Sequence, residues 1–170
     1  YLDYINVMTY DMTDFHFTSH HTAPYSSTKG GNYTARSVKN SIDIFKAKGI
    51  PPEKIIVGAA FYSKKWSGIT GGENGLAAAT EAPVAYGPGI TALEEEYINK
   101  NGFRRYWDET ACAPYLYNGD TFITYDDEES IKKKCELILE ENIGGIMVWE
   151  LGGDRKQTLL PLMRKWLGNR

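Results

Sequence analysis

Three places in the chain put a hydrogen-bonding or stacking side chain directly after a run of strand-forming residues. The first run closes on Met8-Thr9-Tyr10-Asp11, the second on Phe61-Tyr62-Ser63-Lys64 and the third on Trp149-Glu150. A phenol donates a hydrogen bond, an ionised carboxylate only accepts, and an indole offers a flat apolar face with a polar edge. Gathered in one cleft, these groups would suit a polyhydroxylated ring, with Asp and Tyr on its hydroxyls and Trp as its floor. Taken singly, each Tyr or Trp could as well close the core at a strand end. Asp11 and Glu150 could also face one another as a carboxylate pair, although strand-end acids more often cap loops or pair with Lys and Arg.

The elements that must position these groups are legible from periodicity. Residues 4–9 are rich in β-formers, and residues 55–61 and 144–149 are near-continuous apolar runs, as expected of parallel strands buried on both faces. In β/α folds the C-terminal ends of such strands face the site, because the βα loops gather there. The spacing of Val38, Ile42 and Phe45 predicts a helix over 35–48, stopped by Gly49-Ile50-Pro51-Pro52. A second helix is predicted over 127–141, capped by Asp126 and Asp127, with Ile131, Cys135, Ile138 and Leu139 on its apolar face. A last helix, over 156–167, turns Leu159, Leu160, Met163, Trp166 and Leu167 inward. Residues 67–125 have a different texture. They begin rich in Gly and Ala, pass a short helical stretch near 92–100, and end with Asn118-Gly119 between two β-rich runs, a strong hairpin signal. The expected architecture is therefore α/β, built from residues 1–66 and 126–170, with a small α+β insertion at 67–125.

Composition narrows the ligand. A formal net charge of -3 with Lys and Arg scattered gives no basic footprint for nucleic acid. No apolar run reaches the ~18 residues that span a bilayer, so no membrane partner is expected, and the first residues read as strand, so the chain is expected to begin inside a fold rather than on a leader. The H-x3-H-H pattern of His16, His20 and His21 lies in a Ser/Thr-rich loop without Cys and reads as a solvated loop, since a zinc site needs three or four converging ligands. Neither a metal nor another cofactor is expected. Cys112 and Cys135 have no CxxC spacing, and sequence leaves open whether they pair. Asn32-Tyr33-Thr34 is a formal glycosylation sequon, and Lys132-Lys133-Lys134 reads as a solvated helix face.

The three strand ends also match a family, in order. Met8-Thr9-Tyr10-Asp11 resembles the M-x-Y-D of the sixth barrel strand of glycoside hydrolase family 18, the chitinase-like enzymes. Residues 56–62 resemble the seventh strand, and Gly145-Ile146-Met147-Val148-Trp149 with Asp154 resembles the eighth. Pro114-Tyr115-Leu116-Tyr117 and residues 122–130 are similar to the closing hairpin of that family's chitinase insertion domain. The resemblance implies strands six to eight of a TIM-type (β/α)8 barrel, an extracellular or cell-surface location, and the missing N-terminal half of the barrel elsewhere in the full-length chain.

It also implies retaining hydrolysis of β-1,4-linked N-acetylglucosamine polymers, chitin or chito-oligosaccharides, with the substrate's acetamide as nucleophile. Tyr10 would bond the acetamide carbonyl and Asp11 the hydroxyls of the neighbouring sugar. Trp149 would lie beneath the distorted ring, Met8 at the floor of that subsite, and Tyr62 along the cleft. Two departures matter. The D-x-x-D-x-D-x-E motif, whose Glu is the family's general acid, does not occur here, so the segment alone is expected to be inactive. Where the family usually has Gly-Arg after the seventh-strand Tyr, this chain has Ser63-Lys64, which loses a bidentate donor and puts a role for Lys64 in doubt. A sugar-binding protein without catalysis and a peptidoglycan or glycan N-acetylglucosaminidase are the alternatives.

Overall fold

A computed structural model describes residues 2–29 and 36–168. The Asn32 sequon lies outside these residues. The elements run β1 (Ile5–Val7), α1 (Val38–Ala47), β2 (Ile55–Ala60), β3 (Tyr62–Trp66), β4 (Ala85–Gly89), α2 (Ile90–Ala92), β5 (Arg104–Asp108), β6 (Ala113–Tyr117), β7 (Phe122–Thr124), α3 (Glu128–Glu140), β8 (Gly145–Trp149) and α4 (Leu160–Leu167). A π-helical turn, Leu93–Tyr97, extends α2.

Two sheets result. β1, β2 and β8 form a parallel sheet with β2 central, Asn6 opposite Ile56 and Gly58 opposite Met147. β3 to β7 form a five-stranded antiparallel sheet in the order β4-β3-β7-β6-β5. Residues 62–66, inside the 1–66 bound expected for the barrel part, pair with β4 and β7 in the antiparallel sheet. The single residue Phe61, fully buried, separates β2 from β3, so the chain crosses from one sheet to the other at the mouth of the site.

One core joins both sheets: Ala59, Phe61, Leu93, Leu116, Ile123, Tyr125, Ile131 and Cys135 are packed together. A second lies between α1, β2 and α3 around Val38, Ile42, Val57 and Ile138. Trp66, Tyr115 and Phe122 centre a third, with the Trp66 and Phe122 rings 5.7 Å apart. At the β6–β7 hairpin Asn118 Oδ1 accepts from the Asp120 and Thr121 amides, fixing the turn that Asn118-Gly119 announced. Cys112 and Cys135 are both free.

Helix ends depart from the periodicity-based limits where a side chain competes for the first amides. Ser37 caps α1, accepting from the Asn40 amide. Asp127 caps α3, accepting from Glu129 and Ser130, while Ser130 reaches back to the Asp127 amide. Asp126 does not cap; it is buried and pairs with Lys134. The reading of Lys132-Lys133-Lys134 as a solvated face holds for the first two only, since Lys134 is fully buried. The last helix begins at 160 rather than 156, because both Asp154 oxygens take amides of residues 158–160 and hold that segment as a turn.

On its outer side β8 has no strand partner among the described residues. Gly145, Ile146 and Val148 there line an apolar cavity of about 710 Å³ with Ile138, Leu160 and Met163.

Asp127 both caps α3 and receives Arg105 at 2.8 Å. Replacing it with Ala should lower stability by about 1 to 2 kcal/mol, while Asp127→Asn retains most of the cap. Thermal melts of the two variants check this ordering.

Candidate functional site

The C-terminal end of the parallel sheet carries the site. Thr9, just past β1, is stitched to β2 from both sides. Its hydroxyl donates to the Gly58 carbonyl at 2.9 Å and accepts from the Gly58 amide at 2.8 Å. This places Tyr10 over Gly58, where an added Cβ would lie 2.7 Å from the ring. Glycine here makes room for the aromatic. Tyr10 is half-buried, and its hydroxyl has no hydrogen-bond partner among the described residues. Burial, and then the Asp11 carboxylate beside it, push its phenol above the ordinary range, so it is a neutral donor at any physiological pH.

Asp11 follows in left-handed backbone, φ 60°, a conformation that Asp tolerates better than most residues. Its Oδ1 accepts from the Tyr62 hydroxyl at 2.6 Å and lies 3.1 Å from Lys64 Nζ. Its amide donates to His21 Nδ1 over 3.5 Å. Burial and the bond to Asp11 push the Tyr62 phenol well above its usual range. The Tyr62 ring meets Tyr10 edge-on, 6.0 Å between centroids, and His21 at 5.3 Å. Lys64 is nearly buried beneath the ring of Tyr86 on β4, with Nζ 3.5 Å from the centroid. Sequence alone left Lys64 doubtful; the structure sets it between Asp11 and Tyr86.

Trp149, at the end of β8, is 58% exposed, and Met8, after β1, 70% exposed. Large apolar side chains left open at one end of a sheet mark a surface that something else covers. Tyr10, Asp11 and Tyr62 are thus in mutual contact, and Met8 and Trp149 stand at the same end of the same sheet. Glu150 is exposed, and the Asp11 carboxylate is directed to Tyr62 and Lys64.

Beneath this surface lies a network that sequence reasoning missed. Lys134 Nζ is 2.5 Å from Asp126 Oδ2 and 2.6 Å from the Thr22 hydroxyl. The same carboxylate accepts from the Ala60 amide and from Ser130, and Thr22 donates to the Thr9 carbonyl. His21 sits above, fully buried. Burial first, then Lys134, Lys64 and His20, hold its pKa well below 6.5, with an approach to the Tyr62 backbone working the other way. A neutral ring with a bare Nδ1 is the form that can accept the Asp11 amide. His20 turns away to Asp108 at 3.2 Å, and the three histidines do not converge. Sequence offered one signal for this network: a Lys at the i+8 position from Asp126, on the same helix face as Ile131, Cys135 and Ile138.

The family description Glycosyl hydrolases family 18 matches residues 1–154. The chain belongs to that family. Chitinase A1 of Niallia circulans is 35% identical over 93% of the chain, which spans 25% of that relative's length. A solved family 18 N-acetylglucosaminidase from Paenibacillus barengoltzii superposes with a TM-score of 0.92 at 44% identity, over 98% of this chain and 49% of that one. The multi-modular cell-surface chitinase ChiW of a Paenibacillus strain gives 0.87 at 39% identity, over 99% of this chain and 20% of that one. The chain therefore spans a quarter of the curated relative and half or less of these structures. These likenesses carry a TIM-barrel-like α/β fold.

Lys134→Met leaves the Asp126 carboxylate buried and unpaired, and should destabilise by about 3 to 5 kcal/mol; the double change with Asp126→Leu should recover a large part of that loss. Chemical denaturation of the single and double variants tests the coupling. For His21 the sign is set by proton binding. An unfolded histidine takes up a proton below about pH 6.5, whereas folded His21 resists until well below that. The unfolded state then binds more protons, so stability should fall as pH drops from about 6.5. His21→Asn should flatten this slope, and melting temperatures recorded between neutral and acid pH would contradict the assignment if both proteins lost stability equally.

Proposed function

We propose that this segment forms the substrate-holding part of a chitinase active site, comprising strands six to eight of the barrel with the family's insertion domain as its antiparallel sheet. The observation that carries the proposal is a Tyr10 hydroxyl without a hydrogen-bond partner among the described residues, beside a carboxylate held by Tyr62 and Lys64. A free neutral donor suits an acetamide carbonyl. Held there, the acetamide oxygen would attack the anomeric carbon as the bond from that carbon to the leaving sugar's oxygen breaks, with Tyr10 fixing the orientation of the acetamide for that attack. Asp11, with Oδ1 engaged, keeps Oδ2 for hydroxyls of the adjoining sugar. Trp149 supplies the stacking floor and Met8 apolar contact beside it, while Tyr62 lines the wall.

Leaving-group protonation falls to a Glu outside these 170 residues, on the half of the barrel that would also cover the bare side of β8. ChiW is a cell-surface-expressed enzyme, which supports an extracellular or surface setting for the parent enzyme. A second reading, removal of single N-acetylglucosamine units, is favoured by the 44% identity to an N-acetylglucosaminidase.

In the intact enzyme, Tyr10→Phe should lower kcat more than affinity, because the phenol acts mainly as the acetamide reacts. Trp149→Ala should weaken chito-oligosaccharide binding by about 0.5 to 1.5 kcal/mol beyond its buried area. Products from chitotetraose separate the two readings: disaccharide supports the chitinase, stepwise monosaccharide the alternative. The isolated 170-residue chain should show no useful hydrolysis, since the acid alone contributes ~10²–10⁴-fold. Robust chitobioside cleavage by that chain would sink the assignment of the acid elsewhere.

A further inference from the structure

Tyr86 has no place in the chemistry described so far, yet it is the most exposed aromatic of the antiparallel sheet, at 68%. It stands on β4, an edge strand, directly opposite Lys64 of β3. Lys64 itself is only 8% exposed, so its ammonium lies under the ring, 3.5 Å from the centroid, and the other face is open to solvent. The ring lies 5.5 Å from Tyr62, tilted by 46°. Tyr62 in turn donates to Asp11. An open aromatic face thus stands one residue away from the carboxylate proposed to bind the neighbouring sugar.

The backbone beneath this ring is held firmly. At Gly87 a Cβ would fall 2.3 Å from Ser63 Oγ, so only glycine lets β4 press so closely on β3. Ser63 also donates to the Pro88 carbonyl at 2.7 Å. A fixed ring with one face pinned by a cation loses little freedom when a ligand stacks on the other.

We infer that Tyr86 is a sugar-stacking residue that extends the cleft from Asp11 out along the antiparallel sheet, taking an N-acetylglucosamine unit of a longer chain beyond those held at Tyr10 and Asp11. Lys64 makes Asp11 and Tyr86 a single unit, so hydroxyl binding at one and stacking at the other are set at a fixed spacing. This rests on the chitinase reading above, and it adds a dependence on polymer length.

The test uses the intact enzyme with chito-oligosaccharides of two to six units, comparing wild type with Tyr86→Ala and Tyr86→Phe by KM, or by calorimetric Kd where turnover is too slow. Tyr86→Ala should weaken the hexamer by roughly 3- to 10-fold, with a loss that shrinks steadily toward the dimer. Tyr86→Phe, which keeps the ring, should stay within about 2-fold of wild type at every length. A penalty that is the same at all lengths, or none at the hexamer, overturns the subsite while leaving the chitinase reading standing. A wild-type enzyme that neither cleaves nor binds any of these oligomers overturns that reading and the subsite with it.

Discussion

Everything at the mouth of the parallel sheet hangs on one buried ion pair, Lys134 with Asp126. Both groups are withdrawn from water, and neither could stay charged there alone. The Asp126 carboxylate also takes the Ala60 amide and the Ser130 hydroxyl, and Lys134 also holds Thr22. One contact thereby fixes the end of β2, the start of α3 and the loop that returns past β1. Through Thr22 and Thr9 it sets the height at which Tyr10 crosses Gly58. Such pairs contribute little net stability compared with a well-packed apolar replacement, and what this one supplies is a single geometry.

Above the ion pair the electrostatics are layered. Two ammonium groups, Lys134 below and Lys64 beside, flank a histidine that they help keep neutral. The neutral ring accepts the Asp11 amide, and Lys64 meets the Asp11 carboxylate from the other side. Asp11 is thus gripped by both backbone and side chain in a left-handed conformation, and one carboxylate oxygen stays clear of those contacts. A lysine here carries the charge without a bidentate fork, and its single ammonium lies between the Asp11 carboxylate and the Tyr86 ring.

Much of this was legible in the sequence, for identifiable reasons. Two of the three parallel strands announced themselves as near-continuous apolar runs and the first as a run of β-formers, although only the central β2 is buried along nearly its whole length, β1 and β8 being more open. The Asn118-Gly119 turn and the amphipathic faces of α1 and α3 were equally plain. Tyr10, Asp11, Tyr62 and Trp149 stood out because polar and aromatic groups directly after such runs are conspicuous. What stayed hidden depended on partners distant in sequence. Lys134 looks like its two exposed neighbours until Asp126 and Thr22 are seen beside it. The switch of residues 62–66 to the second sheet could not be read, since Tyr62 to Trp66 continues the strand-like run without a break. Tyr86 sits among Ala, Gly and Pro, with no local pattern to mark it.

The insertion also has a kinetic side. β2 and β8 are neighbours in space but on the order of ninety residues apart in the chain. Closing so long a loop before any contact forms is entropically slow. The antiparallel sheet between them is built largely from neighbouring strands, β3 with β4 and β5 with β6 with β7, and it returns the chain at β7 to the side of β3. Once it has formed, the ends of β2 and α3 are already close, and the remaining search is over the short span of α3. The sheet that carries Tyr86 is therefore also the clamp that shortens the folding path of the strands carrying Tyr10 and Trp149.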